Sequence, residues 1–405
     1  YVVAEGRAAL SPVAADPSPL PALEALVGSA LVNQQPTTDG TARFAMLESI
    51  RGYALERLRD GAAWAATRRA HAAHYLRLAR AAQPHLDDPA GPEWMGRLER
   101  DHDNANAALD WYLEEDPAGG LDLLWVSWLF WWRRGHIDEV NRHLGQILGQ
   151  DARLGPQATG LALFLAGGGS FAIGEVDRAR VLLERALPLL RAAGDDGGVA
   201  LAAATLGPFA LARGEREQAA GYLAEARESA TRLENRWQVS YVHSRLALIA
   251  TGEGRPDDAQ DHLAVALDVA GGGQEQVASL VAHYTAAVCE LAFDDPAGSR
   301  RHLVDGLGVA AADQDDATVA TFLEAIAELD RRRGAPAKAV RLAAAAAVLR
   351  TPSSELWIRA CVAPWPAIEL DRAAARSRLG DEAFEAAWRA GEAIGDRAVA
   401  EASAP

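Results

Sequence analysis

A chain of 405 residues with 49% hydrophobic and 24% charged residues has the make-up of a folded protein. Its longest apolar run, Leu121 to Trp132, falls short of the ~20 residues a membrane span needs and is closed at once by Arg133 and Arg134. A formal net charge of −16 disfavours nonspecific attachment to nucleic acid or to an anionic membrane, both of which draw basic surfaces.

Tyr1 stands where an initiator Met would, with no signal-peptide pattern behind it, so we expect a segment of a longer protein. Residues 1–22 carry Pro12, Pro17, Pro19 and Pro21 among small residues and predict an irregular arm. A short apolar helix is expected over Leu23 to Leu31, then polar turn material from Asn33 to Gly40. Arg43 to Leu47 reads as a strand pairing back on Leu31-Val32, and Glu48 to Arg59 as a helix with Ile50, Tyr53, Ala54 and Leu58 on one face. In His102-Asp103-Asn104, Asp and Asn suit capping of a helix start better than catalysis, because an amphipathic helix follows directly.

Leu121 to Trp132 reads as one helix holding Trp125, Trp128, Trp131 and Trp132, with Trp125, Trp128 and Trp132 on one face. We read that face as a buried joint, although it could also stack a ligand. From here a repeat governs the chain. Gly135, Gly174, Gly214, Gly254, Asp294 and Gly334 are spaced 39, 40, 40, 40 and 40 residues apart, each in a short break between helical patterns. Five residues beyond each anchor stand Val140, Ala179, Ala219, Ala259, Ser299 and Ala339. Nine beyond stand Leu144, Leu183, Leu223, Leu263, Leu303 and Ala343, and twelve beyond stand Ile147, Ala186, Ala226, Ala266, Gly306 and Ala346. Seven before the anchors the residues are small again: Gly167, Gly207, Ala247, Ala287 and Ala327. Small residues at these intervals allow two helices to approach, and the Leu fills the gap between them. Beyond Thr351, Pro352, Pro364 and Pro366 break the register, and a long helix to Leu379 and a short one from Asp381 to Ala390 predict a terminal cap.

The register resembles the tetratricopeptide repeat, with a period of 40 instead of the usual ~34. Other stretches resemble the STAND class of regulatory ATPases, and more specifically the large LuxR-type and antibiotic-regulator-type transcription factors of bacteria. They are RFAMLESIRGYALERL (Arg43–Leu58), RRAHAAHYLRLARAAQP (Arg68–Pro84), LERDHDNANAALDWYLE (Leu98–Glu114), WLFWWRRGHIDEVNRHLGQIL (Trp128–Leu148) and LGDEAFEAAWRAG (Leu379–Gly391). The resemblance implies an order of nucleotide-binding domain, winged helix, helical repeats and often a DNA-binding helix-turn-helix. Neither end is expected here: no Gly-x-x-x-x-Gly-Lys-Ser/Thr occurs, and fourteen residues after Gly391 are too few for a DNA-binding domain.

The expected fold is therefore all-α. A tetratricopeptide-like right-handed superhelix of antiparallel helix pairs is preceded by a small partial winged-helix segment with a short β-hairpin. The expected division is an arm (1–22), the partial winged helix (23–60), helices leading into the array (61–117), the array of ~40-residue units (118–350), and capping helices with a tail (351–405).

Positions 13, 10, 6 and 3 before each anchor would face the inner wall of such a superhelix. They supply Trp125, Trp132, Phe164, Phe171, Tyr241, Tyr284 and Leu291, then Glu324, Glu328 and Arg331. A lining that passes from aromatic to charged suits a peptide, a helix or a small amphipathic effector, while the same rows could instead be packing against the next repeat. His243 and His283, and likewise His262 and His302, recur at 40 residues; a metal would need a third ligand, and the sequence offers no local one. With Lys338 as the single lysine, a lysine-rich carboxylate clamp is not expected, although Arg could substitute in part. No catalytic, cofactor or metal residue is assigned, and no motif of an enzyme occurs. The expectation is a cytoplasmic, non-catalytic sensor or interaction region that binds a protein or small effector on its concave face. It would act on an upstream nucleotide-binding domain of the same polypeptide, without direct contact to nucleic acid or membrane. A stand-alone scaffold unrelated to transcription is the alternative.

Overall fold

The six anchors are all left-handed residues. In the computed structural model, which describes residues 20–35, 42–150, 153–230, 232, 236–271, 276–350, 361, 368–395 and 397–404, φ is +77° at Gly135, +83° at Gly174, +80° at Gly214, +70° at Gly254, +63° at Asp294 and +88° at Gly334. Each closes its helix in the same way. The anchor N–H returns to the carbonyl three residues back and the next N–H to the carbonyl five back, as in Gly174 to Phe171 and Glu175 to Ser170. That pair of bonds is the Schellman stop, and it needs a residue that tolerates φ > 0, which glycine does freely and Asp better than most.

The helices so punctuated pair up. In the first pair α6 (Pro117–Val126) and α7 (Trp128–Arg133) run against α8 (Ile137–Leu148). Next come α9 (Pro156–Ala172) with α10 (Val176–Ala193), α11 (Asp196–Ala212) with α12 (Arg216–Ala230), and α13 (Arg236–Gly252) with α14 (Pro256–Ala270). α15 (Gln276–Ala292) with α16 (Pro296–Ala312) and α17 (Asp316–Arg332) with α18 (Pro336–Leu349) complete the series. Asp195, Asp295 and Asp315 cap the first helices or second helices that follow them by accepting backbone N–H bonds from Gly198, Gly298 and Thr318.

Packing within a pair follows the small–large rule read from the register. A methyl group on Gly167 would lie 2.8 Å from Cγ of Leu183, and one on Gly207 would lie 2.6 Å from Cδ2 of Leu223. The Leu nine residues beyond one anchor therefore fills the notch left seven residues before it, and any larger residue would push the helices apart. The stack is an all-α, tetratricopeptide-like superhelix. It curls far enough for distant parts to meet: Arg133 on α7 forms a buried ion pair with Asp313 and Asp315 in the α16–α17 turn, and Asp87 accepts the N–H groups of Gln276 and Val277 at the start of α15.

Ahead of the array lie α1 (Leu20–Gly28), β1 (Asn33–Gln35), β2 (Arg43–Ala45), α2 (Glu48–Arg59), α3 (Trp64–Ala82), α4 (Gly91–Arg100) and α5 (His102–Glu115). Behind it lie α19 (Arg372–Leu379), α20 (Asp381–Glu392) and α21 (Arg397–Ser403). Several expectations are corrected here. The helix begins inside the supposed arm, at Leu20, because Pro21 sits in its first turn, where a missing N–H costs nothing. The hairpin pairs Asn33 with Ala45 and Gln35 with Arg43, so part of the supposed turn is strand and Leu31-Val32 precede it. Helix α2 has the expected bounds; of the four residues on its apolar face, Tyr53 and Ala54 are exposed and Ile50 and Leu58 are half-buried.

At α5 the helix start falls one residue before the expected cluster, on Asp101, whose side chain makes no capping bond; Asp103 and Asn104 lie in the first turn, and Asn104 donates to the Asp101 carboxylate at 3.5 Å. The Asp101 carboxylate is drawn 2.6 Å from Arg43, which ties the hairpin to the leading helices. The tryptophan-rich helix is two helices broken at Ser127, whose hydroxyl bonds the Leu123 carbonyl and accepts the Trp131 indole N–H at 2.9 Å. The long helix to Leu379 is only the short α19, and the supposed tail contains α21, whose end is held by Arg300 donating to the carbonyls of Ala402 and Ala404. Pro12, Pro17, Pro19, Pro352, Pro364 and Pro366 lie outside the described residues.

Candidate functional site

One side of α6, α7, α9, α11 and α13 meets around an apolar cavity of about 90 Å3. Its lining includes Trp125, Trp132, Phe164, Phe171 and Tyr241, five of the positions assigned to the inner wall by the 13/10/6/3 spacing. Leu129, Gly168 and Leu201 occupy the same register and also line the cavity, although the sequence reading did not name them. Trp128 and Trp237 lie outside that template yet contact each other across the opening, with ring centroids 5.1 Å apart. A signal for Trp128 existed in the sequence: it stands seven before Gly135, where every later repeat has Gly or Ala.

The chemistry of the cavity is almost purely apolar. Trp237 stacks on Tyr241 at 5.5 Å and 20°, and Trp128 meets Trp132 edge to face at 5.8 Å. Behind the wall the buried Arg245 guanidinium lies over the rings of Phe171 and Tyr241 at 5.4 and 5.3 Å and donates to the Tyr241 hydroxyl at 3.2 Å. Burial pushes the Tyr241 hydroxyl above its ordinary pKa, with Arg245 pulling the other way, so it remains a neutral phenol. Cys361 also lines the cavity; burial raises its thiol to about 12, and Cys289 is likewise raised to about 11. Neither is a nucleophile at neutral pH.

The second half of the wall is occupied differently. Tyr284 is fully buried, and its hydroxyl accepts the Ile368 N–H at 3.2 Å. Glu324 pairs with Arg350 and faces Arg372. Glu328 accepts from Arg331 at 2.7 Å, from Arg332 at 2.8 Å and from the Asp371 N–H at 3.1 Å. Burial alone would raise the Glu328 carboxyl, but these donors outweigh it and hold the group down at about 2. Tyr284, Glu324 and Glu328 thus seat the chain's own residues 368–372, so of the two alternatives these positions take packing, against the C-terminal segment and not the next repeat. Leu291 and Arg331 remain half-buried at the edge.

Two groups of donors could hold a metal among the described residues: His102, His136 and Glu139, and His283, His302 and Asp305. The second corrects the expectation that no third ligand accompanies the repeated histidines. The histidines that matter to each other are 19 residues apart, not 40: His243 faces His262 and His283 faces His302 across a helix pair. Lys338 is engaged with Asp330 and the Ala404 carbonyl. No helix among the described residues is long and apolar enough to cross a membrane.

No protein-family model matches the sequence, and no curated protein matches it. Among solved structures, the chain is similar to that reported as the crystal structure of Rap protein complexed with competence and sporulation factor. The two share 13% identity at a TM-score of 0.46, covering 74% of this chain and 97% of the other.

Proposed function

We propose that this chain is a non-catalytic sensing and partner-binding repeat region, and that the aromatic cavity seats one apolar group of its ligand. The cavity carries this reading: seven aromatic residues from the first, second and fourth helix pairs converge on an almost purely apolar space. Its volume, about 90 Å3, is below the ~150 Å3 of an apolar cavity that admits benzene. The fitting occupant is an aliphatic branch or, with slight ring displacement, one aromatic ring, presented by a peptide or an amphipathic effector. Because the rings come from separate pairs, filling the cavity favours one curvature of the stack over others, which is how binding would be passed on.

The stretches Arg43–Leu58, Arg68–Pro84, Leu98–Glu114 and Trp128–Leu148 support placing this region in a STAND-type transcriptional regulator of the LuxR or antibiotic-regulator type. On that reading α1, the hairpin and α2 are the end of a winged helix, the cell compartment is the cytoplasm, and the curvature of the repeats controls an upstream nucleotide-binding domain. ATP hydrolysis and DNA binding belong to other parts of that protein.

Saturation-transfer NMR of the full chain with toluene and with indole tests the cavity: saturable binding of either is expected, and binding of neither defeats the reading. The regulator assignment is tested apart from it. A Gly-x-x-x-x-Gly-Lys-Ser/Thr loop encoded upstream in the same reading frame is expected, and a start codon beside Tyr1 contradicts it.

A further inference from the structure

Helix pairs α13–α14 and α15–α16 carry the same histidine contact, and only one of them adds a carboxylate. His243 and His283 each stand eleven residues before their anchor, His262 and His302 eight after. In both pairs the Nδ1 atoms point at each other, at 3.3 Å for His243 and His262 and 3.4 Å for His283 and His302. Eleven after the anchor stands Val265 in the first pair and Asp305 in the second. Asp305 is one helical turn past His302, exposed, and its carboxylate lies within 4.8 Å of a donor nitrogen of each histidine.

The Nδ1 separation is long for a hydrogen bond, whose usual range ends near 3.2 Å. It equals the bite of a tetrahedral metal: two nitrogens at about 2.0–2.1 Å from a zinc ion stand about 3.3–3.4 Å apart. Helix packing has therefore already set two imidazole lone pairs at ligand distance, and a rotation of the exposed Asp305 side chain brings in the third donor. We propose that His283, His302 and Asp305 form a site for a zinc-class divalent cation, with water as the fourth ligand, clipping α15 to α16.

Burial lowers the pKa of His283, with His302 adding to the effect, and burial likewise lowers that of His302 against the opposing pull of Glu290 and Asp305. Both rings are thus neutral and able to ligate at pH 7. The other histidine cluster lacks this geometry. The His102 and His136 rings are stacked 3.9 Å apart at 17°, so their in-plane lone pairs do not meet at a point, and Glu139 and Glu99 already bind them at 3.0 and 3.3 Å.

The test is calorimetric titration of tag-free, chelator-stripped full chain with Zn2+, with Co2+ absorption reporting tetrahedral coordination. One ion per chain is expected. Asp305→Val, which copies the α13–α14 pair at an exposed position, should weaken binding by more than the roughly tenfold that loss of an outer partner costs. His283→Gln with His302→Gln should abolish it, while Val265→Asp, also at an exposed position, should raise the stoichiometry to two. No bound ion in the wild type, or an ion retained at full affinity by both the Asp305 variant and the histidine double variant, overturns the assignment.

Discussion

The two halves of the inner wall are built on one register and put to opposite ends. In the first half, the positions 13, 10 and 3 before the anchors carry Trp125, Trp132, Phe164, Phe171 and Tyr241 and leave a space. In the second half the positions 10 and 6 before the anchors carry Tyr284, Glu324 and Glu328, and residues 368–372 of the same chain lie on them. Polar groups facing a curl find partners within the chain, whereas rings too large to interlock leave room. The repeat sets which residues share a row, and their chemistry decides whether that row packs against the chain's own end or leaves a cavity.

The largest expected effect comes from cutting the tie between the halves. Arg133→Ala leaves Asp313 and Asp315 facing each other in a buried place, and loss of one partner from such a pair costs about 3–5 kcal/mol. Denaturant unfolding should show it; a loss under ~1 kcal/mol would mean that the curl closes without this pair.

In the second half, Glu328→Gln should lower stability by about 1–3 kcal/mol at neutral pH by weakening the four hydrogen bonds it accepts from Arg331, Arg332 and the Asp371 N–H. The sign with pH follows from a carboxyl held at about 2 against an ordinary 4.5. Its contribution is full above 4.5 and is lost as pH falls toward 2, so the difference between variant and wild type should shrink over that window. A difference that stays constant from pH 7 to 2.5 would contradict the role given to this carboxylate.

Three consecutive glycines sharpen the picture of the first half. Gly167→Ala should destabilise by about 1–3 kcal/mol, because the added methyl meets Leu183 at 2.8 Å. Gly168→Ala should stabilise by about 0.5–1 kcal/mol, because the methyl reaches Trp132 at an ordinary 3.6 Å and the helix gains in propensity. Thermal melts of the two variants should move in opposite directions; parallel shifts would break the account of how the pairs interlock.

Much of this was legible before any coordinates. The anchors and the small–large pairing depend on local rules that recur in each unit, so the copies reinforce one another, and five of the residues named from the 13/10/6/3 rows line the cavity. What escaped depended on contacts far apart in the chain. Nothing near Arg133 announces Asp313, and Trp237 meets Trp128 only because the stack curls. The covering of Glu328 by Asp371 is likewise a tertiary effect, whereas the Ser127 break rests on local bonds to Leu123 and Trp131 that compete with the helix pattern. The histidines were seen at their 40-residue period, yet the spacing that brings them together is the 19 residues across a turn.

The central claim is that the aromatic half of the wall is a seat for an apolar group, and Gly168 offers the most direct test of it. Gly168→Leu projects a side chain into the cavity from a helix position with room for it. The account predicts that toluene and indole no longer bind while the melting temperature is kept or raised. Undiminished probe binding in the folded variant would show that the ligand sits elsewhere.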